Sequence, residues 1–169
     1  MPNLVSLSDI ADHQVDVEAS LRLYFSSANP LYARRFTGYL ASEVTSELKD
    51  RIGEADMGSA LITLARVEAV LRRDYRDRCQ SKLSDNISIA FRRVHKIRGD
   101  RARLDEDILT IWYDHIGPAE RATVSKFRGM LKFRHWLAHG RYWNVGTIYS
   151  FQDVYLVADV LISSLPLRG

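Results

Sequence analysis

Cysteine is almost absent from this sequence: Cys79 stands alone among 169 residues, so no internal disulfide can form. A thiolate metal cluster would need ligands from several chains, and a reducing cytoplasmic setting is the expectation. Long apolar runs are missing as well. Val154 to Ile162 is broken by Asp159 and is far shorter than the roughly 20 apolar residues that cross a bilayer, so no membrane segment is expected. Near the N-terminus Asp9, Asp12, Asp16 and Glu18 interrupt any stretch resembling a secretory signal. There is no repeat or low-complexity segment, and strict apolar–polar alternation over five or more residues is hard to find, which argues against strands.

Apolar positions instead recur at a spacing near 3.6, the signature of amphipathic helices. Three of the four prolines fit helix ends. Asn29-Pro30 and Gly117-Pro118 each place a plausible cap before a proline at the first helical position, and Pro166 follows the last apolar periodic stretch. Ser6 with Asp9, and Ser150 with Asp153, have the spacing at which hydroxyl and carboxylate satisfy free backbone N–H groups reciprocally. The pattern predicts helices near 7–26, 30–52, 57–80, 85–98, 105–116, 119–139 and 151–165. Gly53, Gly99, Gly117 and Gly140 fall between them, and Gly58 falls at the start of the 57–80 helix. The expected fold is all-α, an antiparallel bundle of about six or seven helices forming one domain over 1–169.

Charge is nearly balanced at +3, but the 24 cations comprise 19 arginines and only 5 lysines. Arginine's planar fork suits bidentate contact with phosphates, although a GC-rich genome yields the same bias. The arginine-rich stretch from Arg92 to Arg103, with Arg98 and Arg101 flanking Gly99-Asp100, is the best candidate for a phosphate-contacting patch. A solvated polar face is its plain alternative.

Two anomalies stand out. On a helical wheel for 57–80, Leu61, Leu64, Leu71 and Tyr75 form a stripe from whose middle Glu68 projects. A desolvated carboxylate there demands a cationic or donor partner from another helix, most simply Arg134. The second is Lys132-Phe-Arg-His-Trp-Leu-Ala-His-Gly-Arg-Tyr-Trp143. In helix 119–139, Val124, Phe127, Leu131 and Ala138 share the apolar face. At 100° per residue, His135 and His139 lie about 40° apart on one flank and Arg134 about 140° from His139 on the other. Histidine ordinarily titrates near neutrality, so His139 is the group best suited to take a proton from a ribose 2′-hydroxyl or return one to a departing 5′-oxygen. The Arg134 guanidinium could hold the scissile phosphate during in-line attack. His135 and His139 also have the spacing of paired zinc ligands, but Trp136 occupies the place where a zincin carries its glutamate, so metal catalysis is not expected.

Arg134-His-Trp-Leu-Ala-His139 matches the Arg-x4-His signature of the HEPN superfamily, and the aromatic surroundings resemble a form found in its prokaryotic members. Glu68, within Leu64-Ala-Arg-Val-Glu-Ala-Val-Leu71, is similar to an acidic position on an earlier helix of that fold. The sharp motif covers about a dozen residues. The resemblance implies a helical bundle that dimerises with its motifs facing each other, metal-independent RNA cleavage without a cofactor, and a place in toxin–antitoxin or defence systems with a corresponding partner protein. It makes Arg134 and His139 catalytic, with His135 as an auxiliary and Glu68 positioning the arginine. Arg141, Tyr142, Arg98 and Arg101 are the expected RNA contacts. His135 departs from the asparagine or small polar residue that many members carry, and Arg141 stands where the nucleotidyltransferase-paired branch has tyrosine. The alternative is a HEPN-like module that has lost catalysis and binds a nucleotide, RNA or protein.

Overall fold

The computed structural model describes residues 5–168, and among them every regular element is helical. Helix α1 spans Leu7–Tyr24, α2 Tyr32–Arg35, α3 Ala41–Gln80 and α4 Asn86–Arg98. A 3-10 turn at Gly99–Arg101 and a wide π-type turn at Leu104–Leu109 lead into α5, Thr110–His115. Helices α6, Pro118–Ala138, and α7, Phe151–Ser164, complete the chain. The result is the expected all-α bundle, and no helix is long and apolar enough to cross a membrane among the described residues.

Local chemistry places most of the ends. The hydroxyls of Ser6 and Ser150 accept from the N–H groups of Asp9 and Asp153, whose carboxylates accept in return from the capping residues. Gly117 precedes Pro118 at the first position of α6. Asp85 caps α4 by accepting from Ser88 N–H.

Helix α3 departs from the pattern. In place of two helices at 30–52 and 57–80 there is one of 40 residues, roughly 60 Å long at 1.5 Å per residue, with Gly53 and Gly58 inside it. Each interior glycine costs about 1 kcal/mol of helix propensity. That penalty is outweighed because α3 packs against α1, α4, α6 and α7 and is the axis of the molecule. Its N-terminal boundary also moves. The Asn29 amide donates to Tyr24 O at 2.8 Å and its oxygen accepts from Leu31 N–H at 3.0 Å, so it closes a turn and does not start a long helix. Gly38, at φ +84°, then redirects the chain. This turn lets Phe36 reach Phe25, with ring centroids 5.1 Å apart, to form a small apolar cluster with Val44.

The main core joins Leu64, Val67, Leu71 and Tyr75 of α3 to Phe91, Trp112, Val124, Phe127, Phe133, Val154 and Leu161. The buried stripe of α6 runs through Val124, Phe127, Met130 and Phe133. Leu131 is half-buried and Ala138 exposed, contrary to the simple wheel. The last turn of α6 turns Trp136 and Leu137 toward the core and leaves Ala138 on the solvent side.

A candidate site at the end of helix α6

Glu68 has the partners its position demands. Its Oε2 lies 2.9 Å from Arg134 Nη2, and its Oε1 accepts from Arg72 Nε at 2.8 Å. Arg72 in turn donates through Nη1 to the Ala102 carbonyl at 2.9 Å. One carboxylate thus joins α3 and α6 and, through Arg72, the turn after α4. Glu68 is 19% exposed and Arg134 35%, which keeps the guanidinium accessible while Glu68 restricts its rotamers. Arg134 Nε is buried and meets no acceptor among the described residues.

The histidines occupy the opposite flank. Their ring centroids are 4.2 Å apart, and Trp143 lies 5.4 Å from His135. Trp143 is set by its carbonyl, which accepts from Trp136 Nε1 at 2.7 Å, while Trp136 stacks on the core residue Phe133. Both histidines are exposed. Helix α6 is regular through Ala138 and His139 is its C-cap, so the angular separation of Arg134 from the histidines persists. The sites that converge within one chain are therefore two: Arg134 with Glu68, and His135 with His139.

Gly140 ends the helix at φ +82°, and Arg141 N–H donates back to Trp136 O at 3.0 Å, the long bond of a Schellman turn. Arg141 itself sits at φ +58°, a left-handed conformation unusual for a residue with a side chain. Its guanidinium makes a two-pronged ion pair with Glu54, both contacts at 2.8 Å, and holds that carboxyl below the usual carboxylate range. Glu54 precedes Glu68 by 14 residues, roughly 21 Å along α3, so Arg141 and Arg134 are pinned at well-separated points. Replacing Gly140 by alanine is expected to cost about 1 kcal/mol, read as a lower thermal midpoint. It should also loosen the seat of Trp143 beside His135, visible as a changed tryptophan emission.

The remaining candidates are dispersed. Tyr142 is 81% exposed, edge-on to Trp143 at 4.6 Å between centroids. Arg98 is paired with Asp107 at 3.2 Å, and Arg101 is exposed; with Ile97, Gly99 and Asp100 they line a shallow open depression. That depression adjoins Ala102, so Arg72 links it physically to Glu68. Arg72 is the site residue that the sequence pattern did not single out. Its signal was present as an acid followed four residues later by a base on one helix. Glu54 carried no comparable signal, because it acts through a contact with Arg141 made across the fold.

Among the described residues no group of three or more histidine, cysteine, aspartate or glutamate side chains could hold a metal ion. No protein-family model, curated protein or solved structure matches the chain.

Proposed function

We propose that this chain is a metal-independent endoribonuclease of the HEPN type, acting in the cytoplasm on RNA as a toxin or defence component. The observation that carries the reading is the end of α6. There, an arginine restrained by a carboxylate stands one residue from a pair of exposed, adjacent imidazoles. Arg134 would bind the scissile phosphate and neutralise the charge that builds on its non-bridging oxygens. His139 would remove the 2′-hydroxyl proton as the 2′-oxygen attacks phosphorus, and an imidazolium would protonate the departing 5′-oxygen. The products are a 2′,3′-cyclic phosphate and a 5′-hydroxyl.

Arg134 and the histidines look out from different flanks of α6, so a phosphate held by Arg134 of one copy would be attacked with the help of a histidine from a second. A two-fold dimer supplies that arrangement. Arg141, Tyr142, Arg98 and Arg101 would then guide RNA toward the paired helix ends, and an antitoxin or defence partner would restrain the activity.

Purified protein incubated with mixed RNA in EDTA is expected to cleave it and to leave ends of this chemistry. Intact RNA under all conditions would overturn the proposal. A non-catalytic binding module has one observation in its favour, namely that Arg134 and Arg141 are both already ion-paired. That alternative predicts RNA retention in a gel-shift assay without cleavage.

A further inference from the structure

We infer that His135 and His139 chelate a divalent transition-metal ion of the zinc class, and that the bound ion shuts off the cleavage proposed above. The second half rests on the ribonuclease reading; the first does not.

The two imidazoles are placed for shared coordination. Although His139 is the C-cap, its N–H still donates to His135 O at 3.1 Å, so a full helical turn separates the residues. Side chains four apart on such a turn are neighbours, and these rings lie 4.2 Å apart at an interplanar angle of 51°. Both are exposed, so an ion can reach them from solvent. Two of the other three histidines differ. His95 Nδ1 meets the Tyr75 hydroxyl at 3.1 Å and His115 Nδ1 meets the Ile111 carbonyl at 2.8 Å. Neither ring of the 135–139 pair has such a hydrogen bond among the described residues.

The surroundings repel a cation less than the local sequence suggests. Arg134 and Arg141 flank the pair in the chain, yet each has its charge matched, by Glu68 and Glu54 respectively. Trp143 packs beside His135 and limits its rotamers, which lowers the entropy lost on chelation. Two imidazoles leave coordination positions open to water, so the ion would bind reversibly. Neutral imidazole selects copper, nickel and zinc over magnesium, which keeps oxygen ligands. A nitrogen lone pair engaged by the metal can neither accept nor return a proton, so the chemistry assigned to His139 would stop.

Tag-free protein titrated calorimetrically with zinc or nickel is expected to bind one ion per chain, and magnesium is expected not to bind. His135→Ala and His139→Ala should each weaken the binding at least about tenfold through loss of bidentate chelation, while His13→Ala and His115→Ala leave it unchanged. Absence of saturable binding, or wild-type affinity in the two site variants, would overturn the metal site. In the cleavage assay zinc should inhibit and excess EDTA should restore activity. Undiminished cleavage at saturating zinc would overturn the shut-off. Protein that binds zinc but never cleaves RNA would retain the metal site and defeat both the ribonuclease reading and its shut-off.

Discussion

His139→Ala and Arg134→Ala are each expected to slow RNA cleavage by roughly 10²–10⁴-fold, the range over which a positioned acid–base group or charge-stabilising donor acts. The two losses should not multiply in the double variant, because proton transfer and charge stabilisation serve the same transition state. Neither side chain belongs to the buried core. Both variants should therefore keep the wild-type helical circular-dichroism spectrum, and a lost rate would report on chemistry. Glu68→Gln tests positioning separately. It keeps an acceptor for Arg134 but removes the charge, so the rate should fall by less than in Arg134→Ala, and adding the Arg134 substitution should deepen it little. Cleavage at wild-type rate in both alanine variants would remove these residues from the mechanism.

The largest stability effect is expected far from that site. Asp74 and Arg78 lie on adjacent turns of α3 and are 0% and 4% exposed, with Arg78 Nε donating to Asp74 Oδ1 at 2.8 Å. The same guanidinium reaches Asp85 at 3.1 Å, Ser88 at 3.3 Å and the Pro166 carbonyl at 2.6 Å, and its carbon lies 5.1 Å from the centre of the Trp112 ring. Asp74 Oδ1 also accepts from Arg168 N–H at 2.9 Å. One ion pair thus ties α3 to the start of α4, to α5 and to the chain after α7. Arg78→Ala would leave a buried carboxylate without its partner, at a cost of about 3–5 kcal/mol. That is a large share of the roughly 5–15 kcal/mol that holds an ordinary domain folded. The urea midpoint should fall by about 1–3 M, and an unchanged midpoint would show that the network contributes nothing. Replacing both partners with apolar residues, Asp74→Leu with Arg78→Met, should be less harmful than Arg78→Ala alone.

The pH dependence carries a definite sign. Burial pushes the Asp74 carboxyl above its ordinary value, against the opposing hydrogen bond from Arg78. A carboxyl raised in the folded state binds more protons there than in the unfolded chain. Its contribution is fully present below the unfolded value near 3.8 and is lost as pH rises through the folded value. Arg78→Ala removes the opposing bond and raises the folded value further. The variant should therefore lose more stability than the wild type as pH rises from about 4 toward neutrality.

Much of the architecture could be read from residue order because its causes are local. The capping boxes at Ser6 and Ser150, the proline opening α6 and the 3.6-residue apolar spacing act within a turn or two, where sequence neighbours are also spatial neighbours. The misread region shows where that correspondence ends. Gly53 and Gly58 are weak helix formers, yet α3 runs through both because contacts with four other helices exceed the propensity cost. Asn29-Pro30 looked like a helix start, but the Asn29 side chain spends both its amide groups on a turn. The Asp74–Arg78 network was likewise hidden, since an acid and a base four residues apart are usually a solvated surface pair. Only the packing of α4, α5 and the C-terminal segment around them makes this one buried.

What the sequence determined by itself was the all-helical class, most helix ends and the short list of side chains able to do chemistry: Arg134, His135, His139 and a carboxylate at 68 in need of a partner. Side-chain chemistry and helical periodicity suffice for these. The tertiary structure decided that Arg134 answers Glu68 while Arg72 shares it, that Arg141 is drawn away to Glu54, and that the two histidines stand together in the open. Those outcomes depend on which helices meet and in what register, and the interactions that set the register lie tens of residues apart along the chain.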